Sequence, residues 1–442
     1  MPVLPEPARG GRWSSQQGAA AGVERQQGGA AGIAAGAFDR MWADLAGIGR
    51  HPATGGYRRY AWTRDDADLR EWFAGEAAAR GLDLVADRAG NLWAWWGDPD
   101  RALADGTGLG VVLGSHLDSV PDGGAFDGPL GVVSALAAVD ALRARGVTPA
   151  RPLGVAVFGD EEGARFGVAC AGSRLLTGAL SPDRARSLTD GDGLSMAEAL
   201  RRAGHDPAAL GRDDETLRRV GAFVELHVEQ GRALGPLDRP VAVGTAIWPH
   251  GRWRIELPGE ANHAGTTALG DRRDPMVALA SVVLAARGAA AGHDALATCG
   301  KVAVAPNGVN AVPSRVTAWL DARAPEAAAV RAVVAEVAGV VEVNGGTLAE
   351  ESWTDRTAFD GALAARLAGL LGGVPQLATG AGHDAGILAA AGVPTAMLFV
   401  RNPTGVSHSP AEHAERADCL AGVVALTEVA AELAGVRAER SP

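Results

Sequence analysis

The sequence predicts an α/β protein: a mostly parallel central sheet, with a smaller βαββαβ (ferredoxin-like) domain inserted into it. Three observations carry this. Between Leu109 and Leu226, apolar strand-like runs alternate with helical stretches, the pattern of a parallel sheet covered on both faces. The alternation returns after about Thr357. Between the two, the order of elements becomes βαββαβ, the split-βαβ sandwich. A length of 442 residues leaves room for two domains with separate cores. The expected organisation is a mobile tail over residues 1–36, the larger domain over 37–246 and 357–442, and the inserted domain over 247–356.

From Met1 to about Gly36 the chain is rich in Gly, Ala, Gln and Pro, with almost no bulky apolar residue. Such a segment cannot offset its ordering entropy, which predicts the mobile tail. Its glycines form no nucleotide loop, because no strand precedes them and no GxGxxG occurs. From Phe38 the pattern turns helical, and Asp65–Arg80 repeats Leu69, Trp72, Phe73 and Ala77 at helical spacing. Leu82–Trp96 predicts a strand hairpin turning at Arg88-Ala89-Gly90-Asn91. Leu109–Leu113, Leu153–Phe158 and Val220–Leu226 are strands, with a helix over Gly131–Arg145. In the inserted domain Trp253, Ile255 and Leu257 alternate as in a half-exposed strand, and a helix follows over Pro275–Arg287. Lys301–Ala305 and Arg315–Ala322 form a strand pair, Pro325–Val337 a helix and Thr347–Trp353 a last strand. The final αβ alternation runs through Ala362–Leu371, His383–Ala391 and Val393–Val400.

Composition narrows the class. Hydrophobic residues make up 47% and charged residues 21%, as in globular proteins, and a net charge of -11 argues against nucleic acid as a partner. Cys170, Cys299 and Cys419 lie far apart with no CxxC pair, which excludes a disulfide scaffold or a cysteine zinc site and suits a reducing cytoplasm. No apolar stretch reads as long enough to span a bilayer, and the N-terminus lacks the charged and apolar regions of a secretory signal. The expectation is a cytoplasmic protein with neither a nucleic-acid nor a membrane partner.

The chemistry sits where apolar runs stop. Leu109–Leu113 ends in Gly114-Ser115-His116-Leu117-Asp118, with Phe126-Asp127-Gly128 soon after. Leu153–Phe158 ends in Gly159-Asp160-Glu161-Glu162-Gly163, Val220–Leu226 in His227-Val228-Glu229-Gln230-Gly231, and Val393–Val400 leads to Ser407-His408-Ser409-Pro410. Functional groups of open α/β sheets gather at the carboxyl ends of strands. His, Asp and Glu suit zinc and its first-row neighbours, and two-metal sites share a bridging carboxylate. Asp127, in a Gly-rich loop, is the natural bridge, and Asp118 would point back to orient His116. Of the pair Glu161-Glu162, one carboxylate would bind metal while the other moves a proton from attacking water to a leaving nitrogen. His227 and Glu229 both qualify as ligands, with the strand-end histidine favoured. His263 could be exposed on a small-residue loop or be incidental, and His383 could equally begin a helix. The pattern points to metal-dependent hydrolysis.

These motifs, with Arg165-Phe166-Gly167, Asn262-His263-Ala264-Gly265-Thr266-Thr267 and Gly382-His383-Asp384-Ala385, resemble a dinuclear-metal amidohydrolase family. That family includes N-carbamoyl-L-amino acid hydrolases, allantoate amidohydrolases and β-ureidopropionases, a branch of the zinc aminopeptidase/aminoacylase/carboxypeptidase superfamily. The resemblance runs from Phe38 to the C-terminal region and leaves the N-terminal tail outside it. It implies that His116, Asp127 and His227 hold one divalent metal ion and Asp127, Glu162 and His408 another, zinc or manganese, with cobalt and nickel also fitting the ligands. It further implies Glu161 as general base and acid, and the inserted domain as lid and dimerisation domain of a homodimer. A histidine matching His263 polarises the scissile carbonyl. Asn310 and Arg323 match residues that clamp a substrate carboxylate, and Gln230 and His383 match residues of the substrate pocket.

A guanidinium can grip a carboxylate bidentately, which agrees with the Arg323 assignment. The expected reaction is cleavage of a C–N bond in a small ureido or N-carbamoyl acid, with allantoate first and N-carbamoyl-L-amino acids second. N-formyl, N-formimidoyl or N-acyl amino acids and dipeptides are the alternatives. One departure touches the substrate: relatives follow Thr266-Thr267 with Pro-Met, whereas this chain has Ala268-Leu269. A catalytically silent ligand-binding homologue would have lost Glu161 or a ligand, and the sequence retains them all.

Overall fold

A computed structural model describes residues 14–437. The chain forms two compact units. The first comprises the chain up to Val241, Leu370–Gly372 and the chain from Leu398 on; the second comprises Ala242–Gly369 and Gly373–Met397. The expected inserted domain, 247–356, lies within the second unit, which also takes in 242–246, 357–369 and 373–397.

In the first unit, Gly110–His116 pairs in parallel with Leu153–Phe158 on one side and Val220–Val228 on the other. Leu92–Trp96 adds antiparallel to Leu153–Phe158, and Asp83–Ala86 completes the expected hairpin. Every residue of Gly110–His116 and Leu153–Phe158 is buried, which is why these strands read as unbroken apolar runs rather than as alternation. The helix Pro129–Ala144 is buried along nearly its whole length, packed by the helices Ser14–Leu45 and Arg416–Ala434. Short helices between Ala171 and Leu217 gather around a separate apolar cluster that includes Phe166, Leu175, Met196 and Leu200.

The second unit holds the βαββαβ order as a four-stranded antiparallel sheet: Thr347–Thr354, His250–Pro258, Arg315–Arg323, Leu296–Ala305. Period-2 alternation puts Trp253, Ile255, Leu257, Val316, Ala318 and Leu320 on one face, where the helices Pro275–Gly292 and Ala327–Val343 cover them with Leu279, Val282, Val330 and Val337. The outer face carries His250, Arg252, Asp321 and Arg323, with His250 opposite Arg323 and Arg252 opposite Asp321.

Two expectations are corrected. Of the supposed tail, residues 1–13 lie outside the described residues, but Ser14–Gly36 begin the helix Ser14–Leu45, and Ala30 and Ala34 are buried. They continue the stripe Phe38, Met41, Leu45 at helical spacing. Alanine fits a close helix contact without the bulk that marks a core in sequence. Second, the helix Pro275–Gly292, with mean hydropathy 1.5, is long and apolar enough to cross a membrane by length and composition. Ala278, Leu279, Val282, Ala286 and Ala289 on it are buried in the core of the second unit, the behaviour of a helix packed on a sheet.

Candidate metal centre

Parallel pairing brings His116, the Asp160–Glu162 turn and His227 to one edge of the first unit's sheet. His116 registers with Phe158, the last residue of the strand that leads into that turn, and its ring stacks 5.9 Å from that of His227. Gly114 lets the strands approach this closely: its φ is 152°, and a Cβ there would fall 2.1 Å from the Ala156 carbonyl. The chain leaves Leu153–Phe158 through a left-handed residue, Asp160 at φ 54°, and His408 is left-handed as well at φ 54°. Non-glycine residues held in this region are sparse and cluster at functional sites.

The histidine rings are fixed by backbone carbonyls. His116 Nδ1 lies 3.1 Å from the Asp118 carbonyl and His227 Nδ1 2.9 Å from the Val228 carbonyl, so each Nδ1–H donates and each Nε2 faces Asp127. Asp127 Oδ1 stands 3.1 Å from His227 Nε2 and 3.5 Å from His116 Nε2. Its Oδ2 stands 3.5 Å from His408 Nε2, which is also 3.5 Å from Glu162 Oε2. Two groups of ligand atoms therefore converge, His116–Asp127–His227 and Asp127–Glu162–His408, the atoms of each within 4.8 Å of one another.

The surroundings suit cations. Among the described residues, the buried His116 Nε2 has no hydrogen-bond partner. Burial opposes charge on His116 and His227, yet Glu161 with Asp118 raises the first well above its ordinary value and Asp127 raises the second to about 8. Burial would push Asp127 up, but His227 and His116 hold it well below the usual carboxylate range. Burial and then the Asp127 charge push Glu162 up to about 8. A site that draws protons onto its histidines and one of its carboxylates is electronegative, and its nitrogen and oxygen donors suit a divalent metal ion.

Around this cluster the Asp118 carboxylate accepts the backbone N–H groups of Glu161 (3.1 Å) and Glu162 (3.0 Å) and also stands 3.5 Å from His116 Nδ1, to which the Asp118 carbonyl is nearer at 3.1 Å. It thus fixes the turn that carries both glutamates. Glu161 lies with Oε2 3.7 Å from His116 Nε2, and its Oε1 accepts from the Cys170 thiol at 3.1 Å. Glu229 accepts the backbone N–H groups of Ala233 and Leu234, which separates it from His227 in role. Gln230 Nε2 donates to Asp127 Oδ2 at 2.9 Å.

Sequence reasoning missed two residues here. Glu412 Oε2 accepts the N–H groups of Phe126 (2.9 Å) and Asp127 (3.0 Å), and Ser407 Oγ lies 3.1 Å from Glu412 Oε1 and 3.2 Å from Asp127 Oδ2. The one available signal was position: both sit within four residues of His408.

The remaining expected residues belong to the second unit. His263 is exposed, and its Nδ1 accepts the Gly265 N–H at 3.0 Å, which leaves the proton of the neutral ring on Nε2. Asn310 is exposed beside it, its carbonyl accepting from Ala264 at 2.9 Å. Arg323 is held by Asp321 through Nε (2.7 Å) and Nη2 (2.9 Å), and by the Gly380 carbonyl through Nη1 (2.8 Å). His383 is buried at the N-cap of the helix Asp384–Ala390, the helix-start reading of the sequence.

Comparison with known proteins gives this arrangement a family. The model of peptidase family M20/M25/M40 matches residues 112–432. The chain is 36% identical to the N-carbamoyl-L-amino acid amidohydrolase of Geobacillus stearothermophilus, over 90% of this chain and 98% of that protein. It is 33% identical to the allantoate amidohydrolase of Escherichia coli, over 88% and 96%. Among solved structures it resembles an amidase of the hydantoinase/carbamoylase family from Burkholderia vietnamiensis, at 32% identity and TM-score 0.79, covering 90% of this chain and 97% of that one.

Proposed function

The chain belongs to peptidase family M20/M25/M40, whose members depend on metal, and from that premise we propose that it hydrolyses a C–N bond in a small ureido acid, allantoate or an N-carbamoyl-L-amino acid. The observation that carries the reading is Asp127: its two oxygens face two separate ligand groups, His116 with His227 and Glu162 with His408. We assign one divalent ion to each group, zinc or manganese, with cobalt and nickel as further fits.

Ions bound there would supply Lewis acidity and make water a competent nucleophile near neutral pH. The rest falls to this chain's residues. Glu161, adjacent to the ligand Glu162 but separate from both groups, takes the proton of the attacking water and returns it to the departing nitrogen. His263 donates from Nε2 to the carbonyl oxygen as negative charge develops on it, a role supported by the Gly265 N–H fixing its tautomer. Arg323, with Asn310, holds the substrate carboxylate. Three of the five guanidinium N–H donors are engaged, so one remains on each terminal nitrogen for an anion. Gln230 steadies Asp127, and we assign His383 to substrate binding.

The same proposal makes the protein a cytoplasmic homodimer. Exposed Met276, Val277, Val283 and Leu284 on the helix Pro275–Gly292, with Leu296 and Val302 on the sheet's edge strand, support a second copy as the cover of this face. The sparse, unclustered cysteines support the compartment.

The deciding experiment incubates metal-reconstituted protein with allantoate, N-carbamoyl-L-amino acids, N-carbamoyl-β-alanine and N-formyl-L-glutamate, and measures ammonia and product acids. Turnover of a ureido acid that disappears in Glu161→Gln with metal content intact supports the reading. Turnover confined to the N-formyl substrate, or to N-acyl amino acids and dipeptides, overturns the substrate class.

A further inference from the structure

The oxygen of Asp127 that faces His408 is also the more crowded one. Oδ2 accepts from Gln230 Nε2 at 2.9 Å and lies 3.2 Å from Ser407 Oγ, with His408 Nε2 at 3.5 Å. A carboxylate oxygen offers two lone-pair positions, so an N–H and an O–H together occupy the side on which a second ion would bind. Oδ1 faces the imidazoles of His116 and His227.

Ser407 has a second acceptor, Glu412 Oε1 at 3.1 Å. Its hydroxyl carries a single proton and serves one carboxylate at a time. Glu412 cannot swing away. Its Oε2 accepts the backbone N–H groups of Phe126 and Asp127, and it lies so close over Gly124 that a Cβ there would fall 2.2 Å from Oε2.

We propose that Ser407 is a hydroxyl toggle for the second ion: it donates to Asp127 Oδ2 while the Asp127–Glu162–His408 group is empty, and turns to Glu412 Oε1 when that group holds a divalent cation. Ser407 and Glu412 are positioning residues, acting through Asp127. The consequence is ordered loading, the His116–Asp127–His227 group filling first and the second ion binding more weakly. The proposal rests on the two-ion reading above.

The geometry gives the variants opposite signs. S407A removes a donor that competes with the ion. In E412Q the N–H groups of Phe126 and Asp127 require the amide oxygen at the Oε2 position, so the NH2 faces Ser407 Oγ as a donor. The hydroxyl is then left with Asp127 Oδ2 as its acceptor. E412Q therefore pins the toggle against the ion, and only while Ser407 is present.

Metal-stripped full-length protein is titrated with Mn²⁺ by calorimetry and the bound ions are counted by elemental analysis, with H408A marking which step belongs to the second group. The expected result is two steps in the wild type, with the second tightened roughly tenfold in S407A and weakened roughly tenfold in E412Q, the usual scale for partners of metal ligands. The first step stays unchanged, and S407A/E412Q behaves as S407A. A second step unchanged or weakened in S407A overturns the toggle, and so does an E412Q effect that persists without Ser407. S407A decides alone should E412Q fail to fold. A wild type that takes up one ion or none overturns the two-ion reading itself, a separate and distinguishable failure.

Discussion

Gly128 lies flat against the His116 imidazole: a Cβ at residue 128 would fall 2.5 Å from both Cε1 and Nδ1 of that ring. Gly128 also holds φ at 85°, so glycine is needed twice over, for conformation and for space. Gly128→Ala should displace either the ring or the Asp127 loop. The expected outcome is a loss of roughly 1–3 kcal/mol of stability from backbone strain, with metal content after dialysis falling further than thermal stability does. A variant that retains wild-type metal content would refute this account of Gly128.

Glu161→Gln separates proton transfer from metal binding. The amide keeps the shape of the carboxylate but cannot take up a proton, so kcat should fall about 10²–10⁴-fold. Elemental analysis should find the wild-type metal content, since Glu161 belongs to neither ligand group.

Arg323→Lys tests the carboxylate grip. Lysine keeps the charge but lacks the plane that Asp321 locks from the side through Nε and Nη2. KM for a ureido acid should rise roughly 10- to 100-fold with a smaller change in kcat, as expected for loss of ground-state binding. The neutral carboxamide analogue, which has no carboxylate to hold, should be handled alike by wild type and variant.

Glu76 ties the first two helices of the chain together. Its carboxylate receives Arg40 at 2.7 Å and Arg80 at 2.6 Å, and Arg80 reaches on to Asp140 at 2.5 Å. The hydrogen bond from Arg40 lowers the Glu76 pKa against burial, with Arg80 adding to it. A carboxyl whose folded value is lowered contributes stability above its ordinary value, and that contribution is lost as pH falls through the folded value. Glu76→Gln should cost about 1–3 kcal/mol at pH 7. The gap between the two melting curves should close as the pH is taken down below the ordinary glutamate range. A gap independent of pH would mean that packing, not charge, carries the effect.

Stripping the metal should lower the melting temperature as well as remove activity. Ions that bind the folded chain alone stabilise it by about 2.7 kcal/mol at a hundred times Kd. The chelated protein should regain both properties when Zn²⁺ or Mn²⁺ is restored. Activity that survives complete removal of metal would sink the hydrolytic mechanism.

The strands that carry the cluster were legible because burial on both faces writes an unbroken apolar run; His116 and His227 stand at the ends of two of them, and Glu161 and Glu162 follow a third within four residues. The βαββαβ order was legible for the complementary reason: one covered face writes strict alternation, as in Trp253, Ile255 and Leu257. Only family resemblance suggested in the sequence that Asp127 and His408 belong together; His408 Nε2 lies 3.5 Å from Asp127 Oδ2, some 280 residues away along the chain. Other features left no mark in the sequence. Ala30 and Ala34 are too small to announce a core, and the strand Gln376–Thr379 is too short to show a period. Whether a carboxylate binds metal, caps a backbone or braces a loop depends on which N–H groups face it. Asp118, Glu229 and Glu412 are chemically interchangeable on paper, and tertiary structure gave each a different set of donors. The sequence by itself determined the elements and the kinds of ligand, since burial pattern and side-chain chemistry are local. Only the folded chain decided what surrounds Asp127: Gln230 and Ser407 donate to its Oδ2 and Glu412 accepts its backbone N–H, and these residues meet only once the strands have paired.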